Sequence, residues 1–165
     1  AAFDATCTIT TPTGWTLLVA SIAGTDCQTA VYGKVAIGDE DGTSVDFVTS
    51  TSQRGSVHVI RITAWVGVLT NLTAQIHNVN ATTAWTGLSI GASADVLWVA
   101  FQAKSHTTGW GTVPTDYINE AKSGVGEDST ASGSVASATR ASTAISENTT
   151  LWNAQTSSGG MVAIQ

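Results

Sequence analysis

Short runs of β-branched and aromatic residues, separated by turn signals, dominate the hydrophobic pattern of this chain. Residues of these types favour strands. No window carries apolar residues at the i, i+3, i+4, i+7 spacing of an amphipathic helix. The pattern predicts strands at Trp15–Ala23, Thr29–Val35, Ser44–Ser50, Ser56–Trp65, Trp85–Ile90, Asp95–Lys104, Tyr117–Ser123, Ser134–Arg140, Thr149–Gln155 and Gly160–Gln165.

Turn signals between these runs recur about every ten residues, which is typical of β-sandwiches. They include Pro12-Thr13-Gly14, Gly109 to Gly111 and Gly159-Gly160. The run Asp95–Lys104 is apolar at consecutive positions, which predicts a central strand that is covered on both faces. In Ser56–Trp65 the apolar positions change parity, which predicts a β-bulge.

A weak internal repeat runs through the chain. The segment Thr11-Pro12-Thr13-Gly14-Trp15 is echoed by Val113-Pro114-Thr115-Asp116-Tyr117, and three later blocks follow in the same order at similar spacing. Two similar halves, 1–65 and 95–165, would then be connected by 66–94 within one domain. The predicted fold is all-β: an antiparallel, jelly-roll-like β-sandwich built from these halves.

The repeat also bears on the beginning of the sequence. Ala1-Ala2-Phe3 resembles Val99-Ala100-Phe101, the later part of the strand predicted at Asp95–Lys104. We therefore expect the N-terminal strand of the first half to be truncated. Upstream residues or another chain would complete it, because proteins avoid an open gap in a sheet.

Composition and charge argue against several classes of function. Of the 165 residues, 11% are charged, against roughly 25% in an average soluble protein, and the formal net charge is -6. The few Lys and Arg residues form no cluster, which argues against nucleic-acid binding. No apolar run is long enough to cross a membrane, so membrane insertion is not expected. No signal peptide is visible.

Several motifs resemble a family of β-sandwich proteins encoded by tailed bacteriophages. They are Pro12-Thr13-Gly14-Trp15-Thr16-Leu17-Leu18, Tyr32-Gly33-Lys34-Val35-Ala36, Gly38-Asp39-Glu40, Asp95-Val96-Leu97-Trp98-Val99-Ala100 and Pro114-Thr115-Asp116. The likeness covers essentially the whole chain. Gly33 stands where the family has an aromatic residue, and Asp116 stands where it usually has glycine.

The resemblance implies a non-catalytic virion structural protein: a head decoration, head fibre or tail-fibre module. Its expected location is the surface of an extracellular particle. Its expected partners are other capsid or tail proteins and copies of itself, and no cofactor is implied. The alternative is a carbohydrate-binding or adhesin module, on a tail fibre or a bacterial surface, that contacts a host-surface glycan.

Aromatic residues are the first candidates for binding. Trp110 lies in the glycine-rich segment Thr108–Thr112, and Trp85 lies among Thr and Ala residues. Exposed aromatic faces stack on sugars and anchor interfaces. We therefore propose Trp110 and then Trp85 as the best candidates for contacts with a partner or glycan, although packing of Trp110 on its own sheet is the simpler interpretation.

Acidic and sulfur-containing residues give two further candidates. Asp39, Glu40 and Asp41 form a carboxylate loop that could bind Ca²⁺, although the spacing is not that of an EF-hand and a solvated turn is the simpler interpretation. Cys7 and Cys27 fit either a disulfide or two buried thiols.

No pattern of catalytic residues emerges. The histidines His58, His77 and His106 lack metal-ligand spacing, and no serine lies in a G-x-S-x-G motif. We therefore predict no catalytic residues and no resident metal.

Overall fold

The computed structural model of the chain describes residues 1–3, 7–23, 27–38, 40, 42–53, 55–65, 67–79, 88–90, 95–104, 110–123, 134–144, 146–147, 152 and 157–165. Within these ranges the regular structure is β-strand, apart from a 3-10 turn at Leu69–Asn71. The strands are β1 (Ala2–Phe3), β2 (Thr16–Ala23), β3 (Cys27–Gly33), β4 (Gly55–Ser56), β5 (Thr73–Val79), β6 (Leu88–Ser89), β7 (Val96–Lys104), β8 (Ile118–Ser123), β9 (Ser134–Ser142), β10 (Ser146–Glu147) and β11 (Ser157–Ile164). The all-β prediction is confirmed.

The described strands form three antiparallel sheets. The largest has the order β5-β11-β7-β9-β8, the second has the order β2-β3-β1-β4, and β10 pairs with β6. β7 lies at the centre of the five-stranded sheet, and eight of its nine residues are buried. This confirms the prediction of a central strand that is covered on both faces.

Alternate residues of β7 point into two different cores. Trp98 and Ala100 pack with Met161, Tyr117 and Trp152 on the outer face of the five-stranded sheet. Val99 and Phe101 pack with Val162 and Ile164 on the inner face. The inner cluster also contacts Val31 of β3, which brings the four-stranded sheet against it in a sandwich-like arrangement.

Some predicted strands differ from those observed. Residues 43–48 form no strand. A bridge between Ile9 and Thr49 and a ring contact between Phe47 and Tyr32 join this part of the chain to the fold. In Ser56–Trp65 the ladder ends at Ser56, at the end of β4. β5 lies at 73–79 of the connection 66–94, a stretch where no strand was predicted, because it carries few apolar residues. Among its described side chains, Ala74 and Ile76 pack against the core. Most of Thr149–Gln155 lies outside the described residues.

The two proline turns have the same geometry. The backbone N–H of Trp15 donates to the carbonyl of Pro12 at 3.0 Å, and that of Tyr117 donates to Pro114 at 3.1 Å. The third residue of each turn has a positive φ, +79° at Gly14 and +66° at Asp116. Asp tolerates this left-handed region better than most residues with a side chain, which explains how it can stand where glycine is usual.

We expect Gly14→Ala to lower the free energy of unfolding by about 1–2 kcal/mol, because alanine meets a steric penalty at positive φ. Urea titration followed by circular dichroism measures the loss. Asp116→Gly is the matched control, and it should leave stability within about 1 kcal/mol of the wild type, since it relieves the same strain. Equal stability of Gly14→Ala and the wild type would contradict this account of the turn.

Candidate functional site

An apolar groove lies between the two larger sheets. One wall is β3, and the other is the segment 57–62, which follows β4 and belongs to no strand. Val99, Phe101, Val162 and Ile164 form its floor. We call this feature the intersheet groove.

The intersheet groove is apolar and modest in size. Its volume is about 240 Å³, which is below the roughly 300–1,000 Å³ of typical small-molecule sites. Val59 and Ile60 on its outer wall are 75% and 40% exposed. The groove is therefore an opening in the hydrophobic core rather than a closed pocket.

Few polar groups line the intersheet groove. His58 Nδ1 lies 2.9 Å from Ser137 Oγ, at hydrogen-bonding distance. Burial lowers the pKa of His58, which favours the neutral imidazole. Thr29 is 1% exposed, and its hydroxyl has no hydrogen-bond partner among the described residues. An unsatisfied buried polar group of this kind costs about 1–3 kcal/mol.

The predicted binding residue Trp110 packs on the outer face of the five-stranded sheet. Its ring meets Trp152 edge-on with centroids 6.5 Å apart, and Lys104 Nζ lies 4.3 Å from its centroid. Burial, together with the charge of Lys122, lowers the pKa of Lys104 to about 8. The cation–π contact stabilises the ammonium group in this setting. Trp110 thus has close neighbours within the chain.

Polar contacts fix the surroundings of Trp110. Trp152 Nε1 donates to Glu120 Oε1 at 2.7 Å, and Lys122 Nζ lies 2.9 Å from the same oxygen. Lys122 also donates to the carbonyl of Gly111 at 2.9 Å. These bonds tie the segment after Trp110 to β8, so the geometry is that of an anchored loop.

The acidic loop is described at Glu40, while Asp39 and Asp41 lie outside the described residues. Glu40 accepts hydrogen bonds from the backbone N–H groups of Ile37 at 2.9 Å and Gly38 at 3.0 Å, and it pairs with Lys34 at 3.1 Å. Both carboxylate oxygens therefore have partners within the chain. No cluster of three or more potential metal-binding side chains occurs among the described residues, and the calcium loop stays a prediction.

We expect the Glu40 carboxyl to titrate near pH 2 in an NMR titration. The Ile37 N–H and the Lys34 ammonium group lower its pKa from 4.5 to about 2. A lowered pKa in the folded state means that this contribution to stability is present above pH 4.5 and is lost as the pH falls through about 2. Lys34→Gln should raise the midpoint, yet leave it below 4.5, because the backbone donors remain. A wild-type midpoint near 4.5 would disprove this arrangement.

The other sequence candidates are only partly described. Cys7 is buried, and its Sγ lies 3.6 Å from Oε1 of Gln28, the neighbour of Cys27 in β3. The side chain of Cys27 lies outside the description, so the disulfide stays a prediction. Trp85, His106 and the side chain of His77 also lie outside the described residues.

Sequence reasoning missed the intersheet groove. The sequence pattern predicts an ordinary strand for each of its walls, β3 and the segment 57–62, and neither segment carries a binding motif. The signal that the sequence offers is the change of parity of the apolar positions in Ser56–Trp65, which distinguishes this segment from the other predicted strands.

Comparisons of this chain with protein-family models, with curated proteins and with solved structures give no match. Within the described part of the chain, no helix is long and apolar enough to cross a membrane. The functional argument therefore depends on the sequence motifs and on the geometry of the described residues.

Proposed function

We propose that this chain is a non-catalytic structural module that packs into a larger assembly, the surface of a bacteriophage particle. The observation that carries the proposal is the distribution of exposed large apolar side chains. Among the described residues there are ten, and all except Ile118 lie between Leu17 and Val68. Ile37 is 77% exposed and Val48 is 58% exposed. Val59, Ile60 and Ile62 lie together on one wall of the intersheet groove, and contiguous exposed apolar surface is typical of contacts between proteins.

The remaining surface fits the same role. With 11% charged residues, the chain relies on Thr, Ser, Gly and Asn to cover its exterior. Low charge reduces the desolvation cost of packing against neighbours. The phage setting comes from the resemblance carried by Pro12–Leu18 and Tyr32–Ala36, which implies capsid or tail proteins and further copies of the chain as partners.

We also infer that the fold is a sandwich of two similar halves. The order β4-β1-β3-β2 of one sheet parallels the order β11-β7-β9-β8 of the other. A register shift follows the proline turn in both, at Leu17/Val19 and at Ile118/Ala121. Shared strand order, turns and register shifts support a duplicated unit, which agrees with the internal repeat in the sequence.

The two other functional classes have weaker support. Nucleophilic catalysis can use a serine activated by a histidine, as Ser137 and His58 could provide. Ser137 is only 4% exposed, however, which leaves little access for a substrate. No carboxylate that could orient His58 lines the intersheet groove among the described residues. A lectin role would use Trp110 as a stacking surface, and the contacts of its ring with Trp152 and Lys104 leave less of that surface for a sugar.

Electron microscopy of the source particle tests the proposal. We expect the chain at fixed, symmetric positions on the particle. In sedimentation experiments, Ile37→Asp should weaken association of the purified chain with itself or with particles that lack it, and Ile118→Asp should not. A chain that is absent from the particle, or that cleaves a glycan, would overturn the proposed function.

A further inference from the structure

A second cleft lies beside the intersheet groove, between the segment 57–63 and the strands β8 and β9. No described residue of β1 or β3 lines it. Its volume is about 600 Å³, within the roughly 300–1,000 Å³ of small-molecule sites. Its floor consists of Leu97, Asn119, Ala121, Ser137 and Thr139. We call this feature the β8 cleft.

The β8 cleft is lined by a cation and by no described carboxylate. Arg61 lines it, and among the described residues no Asp or Glu does. Lys34, Lys122 and Arg140 each pair with a carboxylate, whereas Arg61 forms no ion pair with any described residue. In a chain of net charge -6, this guanidinium makes the cleft a local positive site. Its planar group matches a carboxylate through two parallel hydrogen bonds.

Hydrogen-bonding side chains on the floor are held in place by one another. Asn119 Nδ2 donates to Thr139 Oγ1 at 3.0 Å, which fixes the amide and leaves its carbonyl oxygen without a partner among the described residues. His58 Nδ1 lies 2.9 Å from Ser137 Oγ, and the other ring nitrogen of His58 has no described partner. Amide and imidazole groups of this kind form hydrogen bonds with the hydroxyl groups of a ligand.

Unfavourable backbone conformations border the β8 cleft. Three described residues other than glycine have a positive φ, at +62° for Ala64, +66° for Asp116 and +53° for Asn119. Asn119 lies on the floor of the cleft, inside the register shift of β8, and Ala64 directly follows Thr63 on its wall. Such conformations cluster at functional sites, and β-bulges redirect side chains there. A role of the Asn119 amide in the cleft explains why β8 retains this conformation.

We propose that the β8 cleft binds a small hydroxylated carboxylic acid, such as an acidic sugar. Arg61 binds the carboxylate, Asn119 and His58 form hydrogen bonds with hydroxyl groups, and Ile60 and Leu97 contact the apolar face of the ligand. The ligand can be the free acid or one unit of a glycan, since both present the same groups. This site is additional to the proposed structural role and does not depend on it.

The probe is D-glucuronate, and D-glucose, which lacks the carboxylate, is its matched control. We expect glucuronate to shift the backbone amide signals of Asn119, Ala121 and Thr139 in NMR titrations of the full chain. Glucose should bind about tenfold more weakly or less, because the guanidinium then has no carboxylate partner. Hexanoate, which has a carboxylate and no hydroxyl group, should also bind about tenfold more weakly.

Matched variants locate the site. Arg61→Gln should weaken binding of glucuronate about tenfold, whereas Lys34→Gln removes the same charge outside the cleft and should leave binding unchanged. Asn119→Gly separates binding from stability. Glycine adopts a positive φ readily, so the Tm should stay close to the wild-type value, while loss of the amide should weaken binding about fivefold.

Four results would overturn the proposal. They are equal binding of glucuronate and glucose, equal binding of glucuronate and hexanoate, equal losses in Arg61→Gln and Lys34→Gln, and unchanged binding by Asn119→Gly. A tetrasaccharide that contains glucuronate identifies the source of the ligand: tighter binding than that of glucuronate supports a glycan, and weaker binding supports the free acid. None of these results changes where microscopy finds the chain on the particle, so a failure of the ligand site leaves the proposed function standing.

Discussion

Replacing Trp98 by alanine should lower the free energy of unfolding by about 3–5 kcal/mol, a large part of the roughly 5–15 kcal/mol of a typical domain. Trp98 is 0% exposed in the middle of β7, opposite Arg140 of β9 and Ala163 of β11. Truncation leaves a cavity that strands on both sides keep from collapsing. Urea denaturation followed by circular dichroism at 25 °C measures the loss.

Trp98→Phe is the control for this experiment. The indole Nε1 of Trp98 has no hydrogen-bond partner among the described residues, so phenylalanine removes an unsatisfied donor while it keeps most of the apolar volume. We expect Trp98→Phe to lose less than half of the free energy of unfolding that Trp98→Ala loses. If the free energy of unfolding of Trp98→Ala lies within about 1 kcal/mol of the wild-type value, Trp98 does not stabilise the outer core as described.

Several strands could be predicted because local pattern and final environment agree. The unbroken apolar run of β7 requires cover on both faces, and the sheet supplies it. β2 and β8 each follow a proline turn whose hydrogen bond and positive φ are encoded in four residues. Where a residue's neighbours in sequence decide its conformation, sequence reasoning succeeds.

Other features depend on partners that sequence pattern does not name. The segment 57–62 alternates Val57 and Val59 like a strand, but it belongs to no ladder among the described residues. β5 carries few apolar residues and owes its place to pairing with β11. The loop of Trp110 could be predicted from its glycines, while the direction of the ring depends on Trp152, forty-two positions away in sequence.

The contrast between the two larger sheets links fold to function. In the five-stranded sheet β7 is buried on both faces, whereas Leu17 in β2 of the four-stranded sheet is 46% exposed. Among the described residues, the exposed large apolar side chains other than Ile118 lie between Leu17 and Val68. Exposed apolar side chains of this kind suit contact with neighbouring proteins, which agrees with the role we propose.

Gly160→Ala should lower the free energy of unfolding by about 3 kcal/mol or more, because the new methyl group has no space. The sequence pattern predicted a turn signal at Gly159-Gly160 and a strand that begins at Gly160, but β11 already begins at Ser157, and Gly160 pairs inside it with Ile76 and Phe101. A Cβ there would overlap the carbonyl oxygen of Gln75 and approach Ile76 Cα at 2.9 Å. Glycine within a strand often marks such a close approach of another backbone.

Because those atoms belong to the backbone of β5, relief requires movement of that strand. Amide hydrogen exchange should therefore rise across residues 73–79 in Gly160→Ala, together with a lower urea midpoint. Gly33→Ala is the matched control: its Cβ would meet Leu69 Cδ2 at 2.8 Å and Leu18 Cδ1 at 3.3 Å. These two methyl groups are the ends of side chains that can rotate away. We therefore expect Gly33→Ala to lower the free energy of unfolding by about 1 kcal/mol. Equal losses in the two variants would mean that β5 does not lie against Gly160 as closely as described.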